Sequence, residues 1–155
     1  MKSKIISIGW VAILLLTTTF ACKENESVDL SMNPVLESVS STSCKETVKA
    51  AIVESFVELK AMNNEQLLVK YINAEMNCCP QTILTEVKQN ESVLVIRFFE
   101  EVPNGCKCNC YYDVTTVLKQ MQKKAYKAEI YIRDEKKAEL SFDFAPGLDV
   151  KHTIK

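Results

Sequence analysis

The chain has 155 residues, with 19 Lys and Arg against 20 Asp and Glu, for a formal charge of −1. So even a balance, with no basic stripe interleaved with aromatics, excludes an electrostatic nucleic-acid binder. Three glycines give no Gly-rich phosphate loop, and the single histidine, His152, falls in the last few residues, a poor basis for Ser-His-Asp or Cys-His catalysis.

The first element is an export signal. Lys2 and Lys4 form a basic head, residues 5–16 are almost unbroken apolar, and three threonines lead to Phe20-Ala21-Cys22. An apolar run of about a dozen residues is too short for a bilayer, which needs roughly 20. Residues 1–21 read as a lipoprotein signal peptide and Cys22 as the acceptor of a diacylglycerol thioether. Thr19-Phe20-Ala21-Cys22 resembles a bacterial lipobox, although threonine replaces the usual leucine three places before the cysteine. Ordinary signal peptidase is the alternative, cutting at the same bond. The cysteine count favours lipidation: taking Cys22 from seven leaves six, an even number for an oxidising compartment. Lys23-Glu24-Asn25-Glu26 resembles the Lys-plus-acidic signal that sends Bacteroidetes lipoproteins to the outer face of the outer membrane. The expected location is therefore the outer membrane, facing the periplasm or the cell surface, with several acyl chains as the membrane partner.

Removing 21 of 155 residues leaves 134, and losing Lys2 and Lys4 takes the formal charge from −1 to −3. Residues 22–43, rich in Ser, Glu, Asn and Thr, read as a flexible lipid-anchored tether. Residues 44–155 are enough for one hydrophobic core.

Within that domain, period-two patterning predicts strands. Val48, Ile52, Phe56 and Leu59 fit a helical stripe as well as a strand, so a short helix near residues 45–55 is the alternative there. Residues 56–62 read as a strand turning at Asn63-Asn64 into a longer one over 66–76. Residues 92–99 and 111–118 are β-branched and aromatic runs of strand length. Residues 126–133 and 138–144 alternate apolar and polar, with only Tyr131 breaking the polar face. Asn90-Glu91, Pro103-Asn104-Gly105 and Asp134-Glu135 supply the turns. The expected fold is all-β, an antiparallel two-sheet β-sandwich.

The candidate chemistry lies in the cysteines. Cys106, Cys108 and Cys110 fall at i, i+2 and i+4, so an extended strand points all three to one face. Their α-carbons would be about 6.6 Å apart, the outer limit of what a disulfide tolerates. Each is expected instead to pair with Cys44, Cys78 or Cys79, which leaves six connectivities open. Cys78 and Cys79 would face opposite ways in a regular strand, so a bulge or bend is expected before Pro80. A bridge between the clusters closes roughly 30 residues and contributes about 3–4 kcal/mol on the chain-entropy model. The rival reading is a soft-metal or zinc site, or a redox site, using Cys78, Cys79, Cys106, Cys108 and Cys110. C-x-C spreads its sulfurs in a strand and no C-x-x-C opens a helix, which favours disulfides.

Other motifs read as structural. Glu100-Glu101 and Asp134-Glu135 are expected to be solvated charges. Asp113, the one acid inside an apolar strand, is expected to accept backbone or hydroxyl hydrogen bonds. Tyr111-Tyr112 reads as packing before it reads as a sugar-stacking platform.

FVELKAMNN (56–64), INAEMNCCP (72–80) and CKCNCYYDV (106–114), followed by an alternating Y-x-A-x-I-x-I strand, resemble small cysteine-rich lipoproteins of Bacteroidetes with CC-P and C-x-C-x-C-x-x-D motifs. The resemblance covers roughly residues 44–145 and implies a lipid-anchored, β-rich envelope protein of uncharacterised function. It supplies no catalytic residues and no cofactor. The expected function is a non-catalytic module for a protein or glycan partner; the alternative is a thiol-dependent metal-binding or redox protein.

Overall fold

Alternating apolar residues set one face of each strand into a shared interior. In β5 (Val93–Glu101), Leu94, Ile96 and Phe98 are buried, and in β7 (Ala125–Ile132) so are Tyr126, Ala128, Ile130 and Ile132. In β8 (Glu135–Asp143) it is Ala138, Leu140 and Phe142. With β4 (Thr82–Asn90) they form a four-stranded sheet in the order β4-β5-β7-β8. The second sheet has the order β1-β6-β3-β2-β9, from β1 (Val35–Ser41), β2 (Ser55–Ala61), β3 (Leu67–Asn77), β6 (Asn109–Lys119) and β9 (Asp149–Ile154). The structure, a computed structural model, describes residues 33–45, 53–103 and 106–154. The expected signal peptide at 1–21, Cys22, the part of the expected tether over 22–32 and most of the alternative helix near 45–55 lie outside those residues.

The two sheets form the expected sandwich, and every described element is a strand. One pairing departs from a purely antiparallel arrangement: β5 and β7 run parallel, Leu94 opposite Ala128 and Ile96 opposite Ile130. The reason is the crossover. β6 leaves β5 for the opposite sheet before the chain returns as β7, so β7 arrives in the direction of β5.

Between the sheets the Tyr71 ring meets Phe98 edge to face, centroids 5.7 Å apart. Thr85 of β4 and Thr116 of β6, both buried, share a hydroxyl–hydroxyl hydrogen bond of 2.9 Å across the layer. Tyr131 breaks the polar face of β7 as its sequence position implies. It lies half-buried on the outer surface with the Arg97 guanidinium 5.8 Å from its ring centroid.

β3 carries a register shift. Its buried residues run Leu67, Val69, Tyr71, then Ala74 and Met76, so the phase changes at Ile72-Asn73. Opposite, Tyr71 pairs with Val114 but Ala74 with Tyr112, which leaves Ile72 and Asn73 facing Asp113 alone. This is a β-bulge, and Asn73 adopts φ of 57°, a left-handed conformation that asparagine tolerates better than most residues.

Three readings need correction. Val35–Ser41 pair with β6 as an edge strand, so the tether read over residues 22–43 gives way to the sheet before Cys44. β1 is mostly exposed and hides its strand character behind serines. Asp149–Ile154, also assigned no strand from sequence, form β9, which sets His152 opposite Val57 at the sheet edge. Thr82–Asn90, assigned no strand from sequence, is β4.

Candidate functional site

The β3 end, the turn after it and the segment leading into β6 bring the cysteines together. Asn77 closes β3 and pairs with Asn109, the first residue of β6. Cys78 and Cys79 form the expected bend before Pro80. Three disulfides result: Cys44–Cys110, Cys78–Cys108 and Cys79–Cys106, with α-carbons 5.6, 5.5 and 6.0 Å apart. The expected three-against-three pattern holds.

The one-face trio is corrected. β6 starts at Asn109, so Cys106 and Cys108 lie in the preceding loop and only Cys110 is in the strand. Cys110 is 3% exposed and turns into the core. Of the five thiols considered for a metal, the structure therefore separates one and groups four. The sulfurs of Cys78, Cys79, Cys106 and Cys108 all lie within 4.8 Å of one another. Those of Cys78 and Cys79 are 3.7 Å apart.

Asn77 organises this corner. Its Nδ2 donates to the Cys106 carbonyl at 2.8 Å, and its Oδ1 accepts from the Cys79 N–H at 3.0 Å. Its own N–H donates to Glu100 Oε1 at 3.0 Å, and its carbonyl accepts from the Tyr112 hydroxyl at 3.1 Å. The Cys78 N–H donates to the Cys108 carbonyl at 3.1 Å. Glu100 was expected to be solvated but is not, since its side chain is 2% exposed beneath Arg133, whose Nε donates to it at 3.0 Å. Its second oxygen, Oε2, is buried without a partner. Burial pushes the Tyr112 hydroxyl up from its ordinary pKa, and the Glu100 charge adds to that. Asp134 and Glu135 are solvated, at 96% and 72% exposed.

A second polar cluster surrounds Asp113 on the outer face of β6. As expected of it, Asp113 accepts a backbone hydrogen bond, from the Asn73 N–H at 3.1 Å. It also takes the Lys45 ammonium, which donates as well to Asn73 Oδ1 at 2.9 Å. Burial alone would raise the Asp113 pKa. The Lys45 and Asn73 hydrogen bonds and the charges of Lys45 and Lys70 outweigh it and hold the carboxyl below its ordinary value. The cluster ties the segment just after Cys44 to the β3 bulge. Tyr112 is in the core and Tyr111 on the opposite face, so the pair forms no joint platform.

The Asn77 hub and the pairing of buried Glu100 with Arg133 escaped sequence reading, because Glu100, Cys106 and Tyr112 are distant in sequence from Asn77, and Arg133 from Glu100. The one available signal was Glu100 at the end of an alternating apolar run. No family model, curated protein or solved structure matches this chain.

Proposed function

We propose that this chain is a lipid-anchored protein of the outer membrane, periplasmic or surface-exposed, whose domain is a non-catalytic binding or accessory module for a protein or glycan. The observation that carries the reading is the pairing of Cys44, Cys78, Cys79, Cys106, Cys108 and Cys110 with one another. Three disulfides belong to an oxidising compartment, and they leave Cys22 as the odd sulfur, placed after an apolar leader for thioether formation. The two acids that the fold draws out of solvent have structural partners, in keeping with this reading. Asp113 holds a bulge with Lys45, and Glu100 pairs with Arg133.

The test is intact mass and detergent-phase partition of protein made in a host with lipoprotein-processing enzymes. Full-length protein is expected to carry the mass of a lipid-modified Cys22 and to enter the detergent phase, and Cys22→Ala to do neither. Alkylation without reductant is expected to leave the six domain cysteines unmodified. An unlipidated, soluble product with reactive thiols refutes the proposal. A glycan array and a pull-down from envelope extract then address the partner, and turnover of a panel of envelope substrates would refute the non-catalytic assignment.

A further inference from the structure

Two bridges join the same pair of segments side by side. Once Cys78–Cys108 is closed, Cys79–Cys106 spans a ring of only about five residues, so it constrains the unfolded chain less than a bridge closing the whole intervening segment. The duplication calls for a reason beyond loop closure. We propose that Cys78, Cys79, Cys106 and Cys108 form a redox-controlled site for a soft divalent cation of the zinc class: two disulfides when oxidised, a tetrathiolate when reduced.

The geometry fits a four-sulfur shell. Tetrahedral zinc with bonds of about 2.3 Å places its sulfurs about 3.8 Å apart. The Cys78 and Cys79 sulfurs already lie 3.7 Å apart, and all four lie within 4.8 Å. Reduction need not scatter them, because the two segments are braced without sulfur. The Asn77–Asn109 pairing, the Asn77 side chain on the Cys106 carbonyl and the Cys78 N–H on the Cys108 carbonyl remain. Cys79 and Cys108 are exposed, one in each bridge, so a reductant reaches a sulfur of both. Lys107, exposed between Cys106 and Cys108, places a cation beside the thiolates. Cys110 stays outside the set, bonded to Cys44.

The chemistry balances with a dithiol as reductant. Each S–S bond takes two electrons and two protons from one dithiol, which closes to its own disulfide. The cation then displaces four protons from four thiols and leaves a site of net charge −2.

The experiment uses the full chain, with alkylation in the absence of reductant fixing the starting thiol count. Free thiols among the six domain cysteines at that stage, mapped by peptide so that Cys22 is counted apart, refute the disulfide pairing independently of the cation site. The oxidised protein is reduced with a phosphine, which leaves no competing thiol, and titrated with Co2+ without air. The expected result is one Co2+ per chain with tetrahedral thiolate absorption, displacement by Zn2+, and four thiols protected from alkylation while Cys44 and Cys110 react. Cys79→Ala/Cys106→Ala is expected to bind at least about 100-fold more weakly, beyond what loss of an outer-shell partner causes. A reduced chain that keeps its sheet signal but takes up no Co2+ overturns the proposal, as does equal uptake by the variant. Loss of sheet on reduction that Zn2+ does not restore overturns it too.

Discussion

The three disulfides contribute unequally. With Cys78–Cys108 intact, the chain path from Cys44 to Cys110 runs to Cys78, across the bridge and on from Cys108, about 36 residues. On the chain-entropy relation, opening Cys44–Cys110 then costs about 4 kcal/mol. Opening Cys79–Cys106 beside the same bridge frees a ring of about five residues and costs about 2 kcal/mol. Cys44→Ala/Cys110→Ala should therefore be less stable than Cys79→Ala/Cys106→Ala by about 2 kcal/mol, roughly a factor of 30 in the unfolding constant. Loss of the buried Cys110 sulfur acts in the same direction. Urea unfolding followed by far-UV circular dichroism at pH 7 measures both, with linear extrapolation to water. If the order is reversed or the two pairs cost the same, the chain-entropy reasoning fails for this domain.

Thr116→Val leaves the buried Thr85 hydroxyl without a partner and should cost about 1–3 kcal/mol. Thr85→Val/Thr116→Val should recover most of that loss, and a double variant no more stable than the single one refutes the pairing. Asp113→Asn should destabilise the domain near neutral pH by up to about 1 kcal/mol, because it keeps an acceptor oxygen but removes the charge that pairs with the half-exposed Lys45 ammonium. The depressed folded-state pKa of Asp113 means its contribution is present above the unfolded value of about 4 and lost as pH falls through the folded value. Wild type and variant should thus converge below about pH 4, and a gap unchanged at pH 2 counts against the ionic contribution. Burial, with the charge of Glu135, pushes the Tyr71 hydroxyl up to about 12. Spectrophotometric titration should show late-ionising tyrosines, one fewer in Tyr71→Phe than in wild type, and an unchanged number in the variant would refute the assignment. The stability Tyr71 brings is full below about pH 10 and lost as pH rises through the folded value.

Strands whose inward residues are aliphatic or aromatic and whose outward residues are charged were legible from sequence: β7 and β8 show that pattern almost throughout. β4 was not, because Thr85, one of its inward residues, is a threonine whose hydroxyl is satisfied only across the core by Thr116. β1 was missed for the opposite reason. An edge strand that buries little side-chain surface leaves little hydrophobic signal. The parallel β5–β7 pair depends on which sheet β6 enters, a long-range choice that no local pattern encodes.

The cysteine pairing follows from register, and register from a bulge. At the far end of the β3–β6 pair Leu67 faces Leu118 and Tyr71 faces Val114; beyond the bulge Met76 faces Cys110 and Asn77 faces Asn109. Continuing that second register sets Cys78 opposite Cys108, with Cys79 beside Cys106, and leaves Cys110 opposite a methionine and available to Cys44. Without the extra residue at Ile72-Asn73 the first register would persist. Cys78 would face Lys107, and Cys79 would face Cys106 directly. The bulge in turn is held by Asp113, which accepts the Asn73 N–H and the Lys45 ammonium. Asp113→Ala should therefore form more non-native disulfide isomers than wild type when refolded oxidatively, read by peptide mapping after proteolysis without reductant. A variant that recovers the three native pairs in wild-type yield would show that the bulge does not direct the pairing.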